Sequence, residues 1–165
     1  MQPYVIALLR DVEVATPALL GIGDEASARR PGPDKWSPRE ILGHLIDSAS
    51  NNHGRFVRGQ RSDDLCFEGY DQNVWVVAQG YQAAPWGDLV TLWASFNRHL
   101  ARVMAVAPES ARSRPHARHN LDAIGWAPFA PGNPATLDDL MSDYVAHLEH
   151  HLKQILGPTW WGDRG

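Results

Sequence analysis

Leu89, Leu92, Trp93, Phe96, Leu100 and Val103 recur at three- and four-residue intervals, which winds them into one wide apolar stripe on a helix from about Gly87 to Val106. A stripe that wide cannot stay in water, so the chain must supply other elements to cover it. Three further segments have the same period. The first runs roughly from Pro3 to Leu20, with Val5, Leu8, Leu9, Val12 and Leu19 as its apolar face. Pro17 is expected to kink or restart it, because proline has no N–H and clashes with the preceding turn. Gly21 to Lys35, rich in glycine, proline and charge, reads as a loop.

The clearest start signal is Ser37-Pro38-Arg39-Glu40. Serine caps, proline suits the first helical position, and a glutamate three residues after the serine completes a capping box. That helix should reach about Gly59. The last begins at Thr136, where Asp139 closes a weaker box, and stops at Gly157-Pro158. No segment alternates with period two between hairpin turns. The expected fold is therefore all-α: an antiparallel four-helix bundle, one domain over 1–165, with long connections at Arg61 to Pro85 and Pro108 to Ala135. Connections of that length are either functional or carry short structure of their own.

The 165 residues carry a formal charge of −4, which gives no electrostatic reason to expect nucleic acid or an anionic membrane as partner. No apolar run approaches the ~20 residues that span a bilayer. The opening Met-Gln-Pro-Tyr lacks the regions of a signal peptide, and the single cysteine, Cys66, suits a reducing cytoplasm, so a cytoplasmic location is expected. Cys66 has no base beside it in sequence and is not read as a nucleophile. Eight histidines and seven tryptophans are the unusual counts. Trp160 and Trp161 are expected to pack on the bundle end or on a second subunit, as in a homodimer.

His147 and His151, four residues apart, share one helix face with Leu140 and Tyr144, all within about 60° at ~100° per residue. Two histidines so placed can each offer a ring nitrogen to one cation. Chance pairs at this spacing are common, so the pair alone is a weak signal. Glu149 and His150 point elsewhere and read as solvent-facing. On the second helix a polar stripe of His44, Asp47, Ser48, Asn51 and Arg55 runs beside the apolar one of Ile41, Leu42, Leu45, Ala49 and Phe56. It can be a solvated face or the lining of a wet pocket. His53 lies off that face, His99 at the edge of the third stripe, and His116 and His119 in a loop.

The run Lys35 to Leu45, KWSPREILGHL, with Asp47-Ser48, Asn51 and Arg55-Phe56 after it, resembles the second-helix signature of the DinB/YfiT-like family. Gly69-Tyr70-Asp71-Gln72-Asn73-Val74-Trp75 and the closing Tyr144, His147 and His150 to Ile155 are similar to that family in the same order, over nearly the whole chain. The resemblance implies a four-helix bundle with a three-histidine site for one divalent ion, nickel or zinc. Carried over, the ligands are His44, His147 and His151. Three neutral imidazoles leave open positions, as in a catalytic site.

The resemblance implies two chemistries on a small-molecule substrate. The leading one is transfer or isomerisation with a low-molecular-weight thiol held as thiolate; the alternative is hydrolysis by metal-bound water. A metal-binding stress protein without turnover, or a plain structural bundle, are the competing classes. Asn51 and Arg55 are candidates to hold a substrate carboxylate or carbonyl, although Arg55 can equally pair with a carboxylate across the bundle. Asp47 is a candidate to orient a ligand histidine. Tyr144 is a candidate proton donor or a core tyrosine with a satisfied hydroxyl. The basic run Arg112, Arg114, His116, Arg118 and His119 can receive an anionic thiol or be solvated.

Overall fold

The computed structural model describes residues 1–160; Trp161 lies outside them. In chain order the helices are α1 (Pro3–Ile22), α2 (Asp24–Ser27), α3 (Pro38–Gly59), α4 (Gln72–Ala78), α5 (Trp86–Val106), α6 (Glu109–Arg112), α7 (Leu121–Ile124) and α8 (Leu137–Leu156), with a 3₁₀ turn at Tyr81–Ala83. No strand occurs among the described residues. Two isolated bridges, Leu65 with His119 and His116 with Ala135, tie the two long connections to each other and to the start of α8.

The long helices α1, α3, α5 and α8 form the expected four-helix bundle, and contacts at their ends show which way each runs. The Trp86 indole donates to Leu19 O at 2.7 Å, so the end of α1 meets the start of α5. Tyr4 donates to Asp138 at 2.6 Å, so the starts of α1 and α8 lie together. His44 near the start of α3 meets His147 in the second half of α8, whereas His53 meets His99 at matching depth in α5. Antiparallel pairing thus holds for α1 with α5 and α3 with α8, while α3 and α5 run side by side in parallel. A parallel neighbour can be reached only by climbing back along a 22-residue helix, about 33 Å long at 1.5 Å per residue. That climb is what the 60–85 connection does, with α4 and the 3₁₀ turn formed on the way.

Both capping boxes are complete: Ser37 with Glu40, and Thr136 with Asp139. The core is built from Leu8, Leu19, Leu42, Leu45, Phe56, Trp93, Leu100 and Met104, all buried. Two expected core residues are exposed, Leu9 at 38% and Leu92 at 49%, and Phe96 and Val103 are only partly buried. The inward line of α1 is Val5, Leu8, Val12, Ala15 and Leu19, alternating steps of three and four, which leaves Leu9 a quarter-turn outside it. On α5 the stripe turns toward Val90, Ala94, Asn97 and Ala101 because α1 and α3 flank it on two sides. Pro17 neither breaks nor restarts α1, which continues unbroken to Ile22. The carbonyl it deprives of a donor belongs to Glu13, exposed like Pro17 itself, so water can take the place of the lost bond. The loop expected over 21–35 contains the short α2. Trp160 packs partly buried against the core.

Gly43 is set by close approach. The Tyr81 ring lies where a side chain at 43 would stand: a Cβ there would be 2.8 Å from Cε2 and closer still to Cγ and Cδ2. Seated against bare helix backbone, Tyr81 delivers its hydroxyl to Asp47 at 2.6 Å, one turn further along α3.

Candidate metal centre

The Ser37 box sets the start of α3, and seven residues on, at the end of the second turn, His44 faces α8 and is 2% exposed. His147 and His151, stacked on one face of α8, meet it. One ligand nitrogen from each of the three lies within 4.8 Å of the others. The rings are edge-to-face, His44 to His151 at 4.8 Å and His147 to His151 at 4.6 Å between centroids. His44 Nε2 and His147 Nε2 are 3.1 Å apart.

The surroundings keep the rings neutral and bring their nitrogens together. Burial pushes His44 down to about 4, with His151 adding to the effect. Burial, then the neighbouring rings His151, His44 and His150, push His147 down to about 2. Burial also lowers His151, against a hydrogen bond to Gln154 that raises it. His151 Nδ1–H donates to Gln154 Oε1 at 2.8 Å, which leaves Nε2 bare. His147 Nδ1 faces the Ser48 hydroxyl at 3.5 Å, and its Nε2 faces His44. The Gln154 amide in turn donates to His150 Nε2 at 3.0 Å. Neutral imidazole nitrogens gathered in this way are a donor set for a borderline cation such as zinc or nickel.

A cavity of about 240 Å³ opens beside His44 and His147, lined along α3 by Ser48, Asn52 and Arg55, and across from it by Tyr70, Trp126, Asp143 and Tyr144. A second, of about 250 Å³, adjoins it and shares Arg55, Gly69 and Tyr70. Tyr144 lines the inner cavity, but its hydroxyl is taken up by Asn97 Oδ1 at 2.6 Å, and its burial raises its pKa far above the usual range. Asn51 lines only the outer cavity and donates to Asp47 O of its own helix. Asn52, one residue on, holds the inner position instead. Asp47 touches no imidazole: its Oδ1 accepts from Tyr81 and Gln79, and its Oδ2 is buried without a partner. Arg55 is buried but takes no carboxylate from across the bundle, as the ion pairs among the described residues show.

Other expectations resolve by packing. His150 is half-buried, not solvent-facing, because Trp126 stacks on it at 4.4 Å. The basic run is spent on structure. Arg112 pairs with Asp138, Arg118 with Asp64, Arg114 donates to Ser62 O, and His119 contacts Asn133 O. His116 is buried at a bridge to Ala135. Cys66 is exposed and free. Gln154 was detectable in principle, since it follows His151 by three and His150 by four; Trp126 and Tyr70 sit in loops and had no periodic signal.

The family model of the DinB superfamily matches residues 8–155. Among solved structures, YfiT from Bacillus subtilis superposes with a TM-score of 0.76, covering 94% of this chain and 83% of its own, at 17% identity. It is described as a probable metal-dependent hydrolase with an unusual four-helix bundle topology. At that identity the likeness bears on the fold. No curated protein matches the chain. Among the described residues no helix is long and apolar enough to cross a membrane.

Proposed function

This chain belongs to the DinB superfamily, and we propose that it is a metal-dependent enzyme acting on a small molecule, with one divalent ion, zinc or nickel, held by His44, His147 and His151. The observation that carries this reading is the pair of facing Nε2 atoms 3.1 Å apart. A cation about 2.0–2.1 Å from each of two imidazole nitrogens holds them roughly 3.3 Å from one another in tetrahedral geometry, close to that spacing. Gln154 supports His151 by fixing which ring nitrogen carries the proton, and the Ser48 hydroxyl stands beside His147 Nδ1. A bound ion supplies Lewis acidity, lowering the pKa of a water or a thiol placed on it. Arg55, Asn52 and Tyr70 line the space where a substrate is held.

Of the two chemistries, thiol-dependent transfer is favoured by the adjoining cavities, since transfer needs room for two reactants where hydrolysis needs one and a water. Hydrolysis is the second reading; YfiT's description supports it. Elemental analysis of protein purified without a His tag tests the centre. Wild type is expected to carry about one ion per chain and His147→Ala to lose it. Full retention of the ion by His147→Ala, or none in wild type, removes the three-histidine site. A panel of low-molecular-weight thiols with an electrophilic acceptor, run beside esters and amides, separates the chemistries. Turnover of esters or amides without any thiol selects hydrolysis.

A further inference from the structure

Arg55 is 4% exposed and, among the described residues, forms no ion pair. Its guanidinium donates to Glu68 O at 2.9 Å and to Asn52 Oδ1 at 3.4 Å, both neutral acceptors. Arginine cannot shed its proton, and a guanidinium has five N–H donors, so a full charge and unused donors remain in the pocket wall. Arg58, on the rim of the outer cavity, repels it and adds positive potential. The Tyr70 hydroxyl lies close enough to Arg55 to interact with it.

None of the nearby acids among the described residues forms an ion pair with Arg55. Asp143 lines the inner cavity, but its two oxygens accept the backbone N–H groups of Trp126 and Ala127 at 2.8 and 2.7 Å. Asp47 is bound to Tyr81 and Gln79. Glu68 contributes its main-chain oxygen, and its side chain is exposed on the outer rim. A buried cation that lines a cavity and has no carboxylate paired with it among the described residues suits an anionic ligand, and the fork of a guanidinium matches a carboxylate.

We propose that the substrate is a small organic acid whose carboxylate pairs with Arg55 beside Tyr70, while its reacting end points along α3 toward His44 and His147. Arg55 follows His44 by eleven residues, so their backbones stand about 16 Å apart along the helix. Both side chains line the same cavity and close much of that distance. The reacting end rests on the metal-centre reading; the carboxylate end does not, and it can be tested without metal.

The test is calorimetric titration of metal-free protein with acetate, propanoate, butanoate and succinate, each beside its neutral amide. Acids are expected to bind at least about tenfold more tightly than the amides, the scale of one charge-assisted pair. Arg55→Met, which removes the charge and keeps most of the volume, should lose that preference while retaining wild-type metal content. Arg55→Lys should keep part of it. The inference is overturned if acids and amides bind wild type alike, if no acid binds more tightly than about 10 mM, or if Arg55→Met keeps the preference. Loss of metal in wild type with acid binding intact would instead count against the metal centre alone.

Discussion

Replacing Gly43 by alanine sets two effects of opposite sign against each other. Alanine stabilises a helix interior by about 1 kcal/mol relative to glycine. Here the new methyl would lie 2.8 Å from Tyr81 Cε2 and nearer to two other ring atoms. The ring is 5% exposed and seated on a 3₁₀ turn, so it cannot swing into water without moving its backbone. Overpacking of a core typically costs about 1–3 kcal/mol. Displacing the ring also takes one of two donors from Asp47 Oδ1, in a carboxylate whose other oxygen is already unpartnered, a further ~1–3 kcal/mol. The clash wins, and Gly43→Ala should lower stability by about 1–5 kcal/mol after the helix gain is subtracted. Urea unfolding of metal-free protein measures it; at an m-value of ~2 kcal/mol/M the midpoint falls by about 0.5–2.5 M. In a Tyr81→Ala background the same substitution should stabilise, because only the propensity gain remains. A rise in midpoint in the wild-type background, or an equal fall in both, refutes the reasoning.

Gln154→Leu should weaken metal binding by about 10–100-fold, measured by competition with a chelator of known affinity, because His151 loses the partner that selects its tautomer; unchanged affinity would show that helix placement alone orients the ring. Burial pushes the Glu40 carboxyl up, but Arg30 and the Ser37 N–H outweigh it and hold it below the ordinary glutamate value. A depressed acid contributes stability above its unfolded pKa and loses it as pH falls through the folded one, here below about pH 4. Urea unfolding from pH 5 to 3 should therefore show a steeper decline for wild type than for Glu40→Gln, and matching slopes would refute the assignment.

Local signals determined the helices. The Ser37 and Thr136 boxes mark both starts in sequence and are both complete in three dimensions, because a capping box closes within four residues and needs nothing from the rest of the chain. The coincidence of His147 with His151 on one face follows from helix geometry alone. The meeting of His44 with them came from resemblance, since no local rule links residues 103 apart. Tertiary packing decided the rest. Asn51 and Asn52 differ by about 100° around α3, and only the rotation imposed by α5 and α8 puts Asn52 into the inner cavity and leaves Asn51 at the outer one. The directions of the helices, which oblige the 60–85 connection to climb the bundle, are invisible to a pattern of period 3.6. So is the bookkeeping of charge. Arg112, Arg114 and Arg118 look like an anion site in sequence, yet acids and carbonyls brought from far along the chain occupy them, while Arg55, a single residue in a polar stripe, is buried with no ion pair among the described residues. Whether a charge is free depends on every group the fold brings near it, and that is a property of the folded chain.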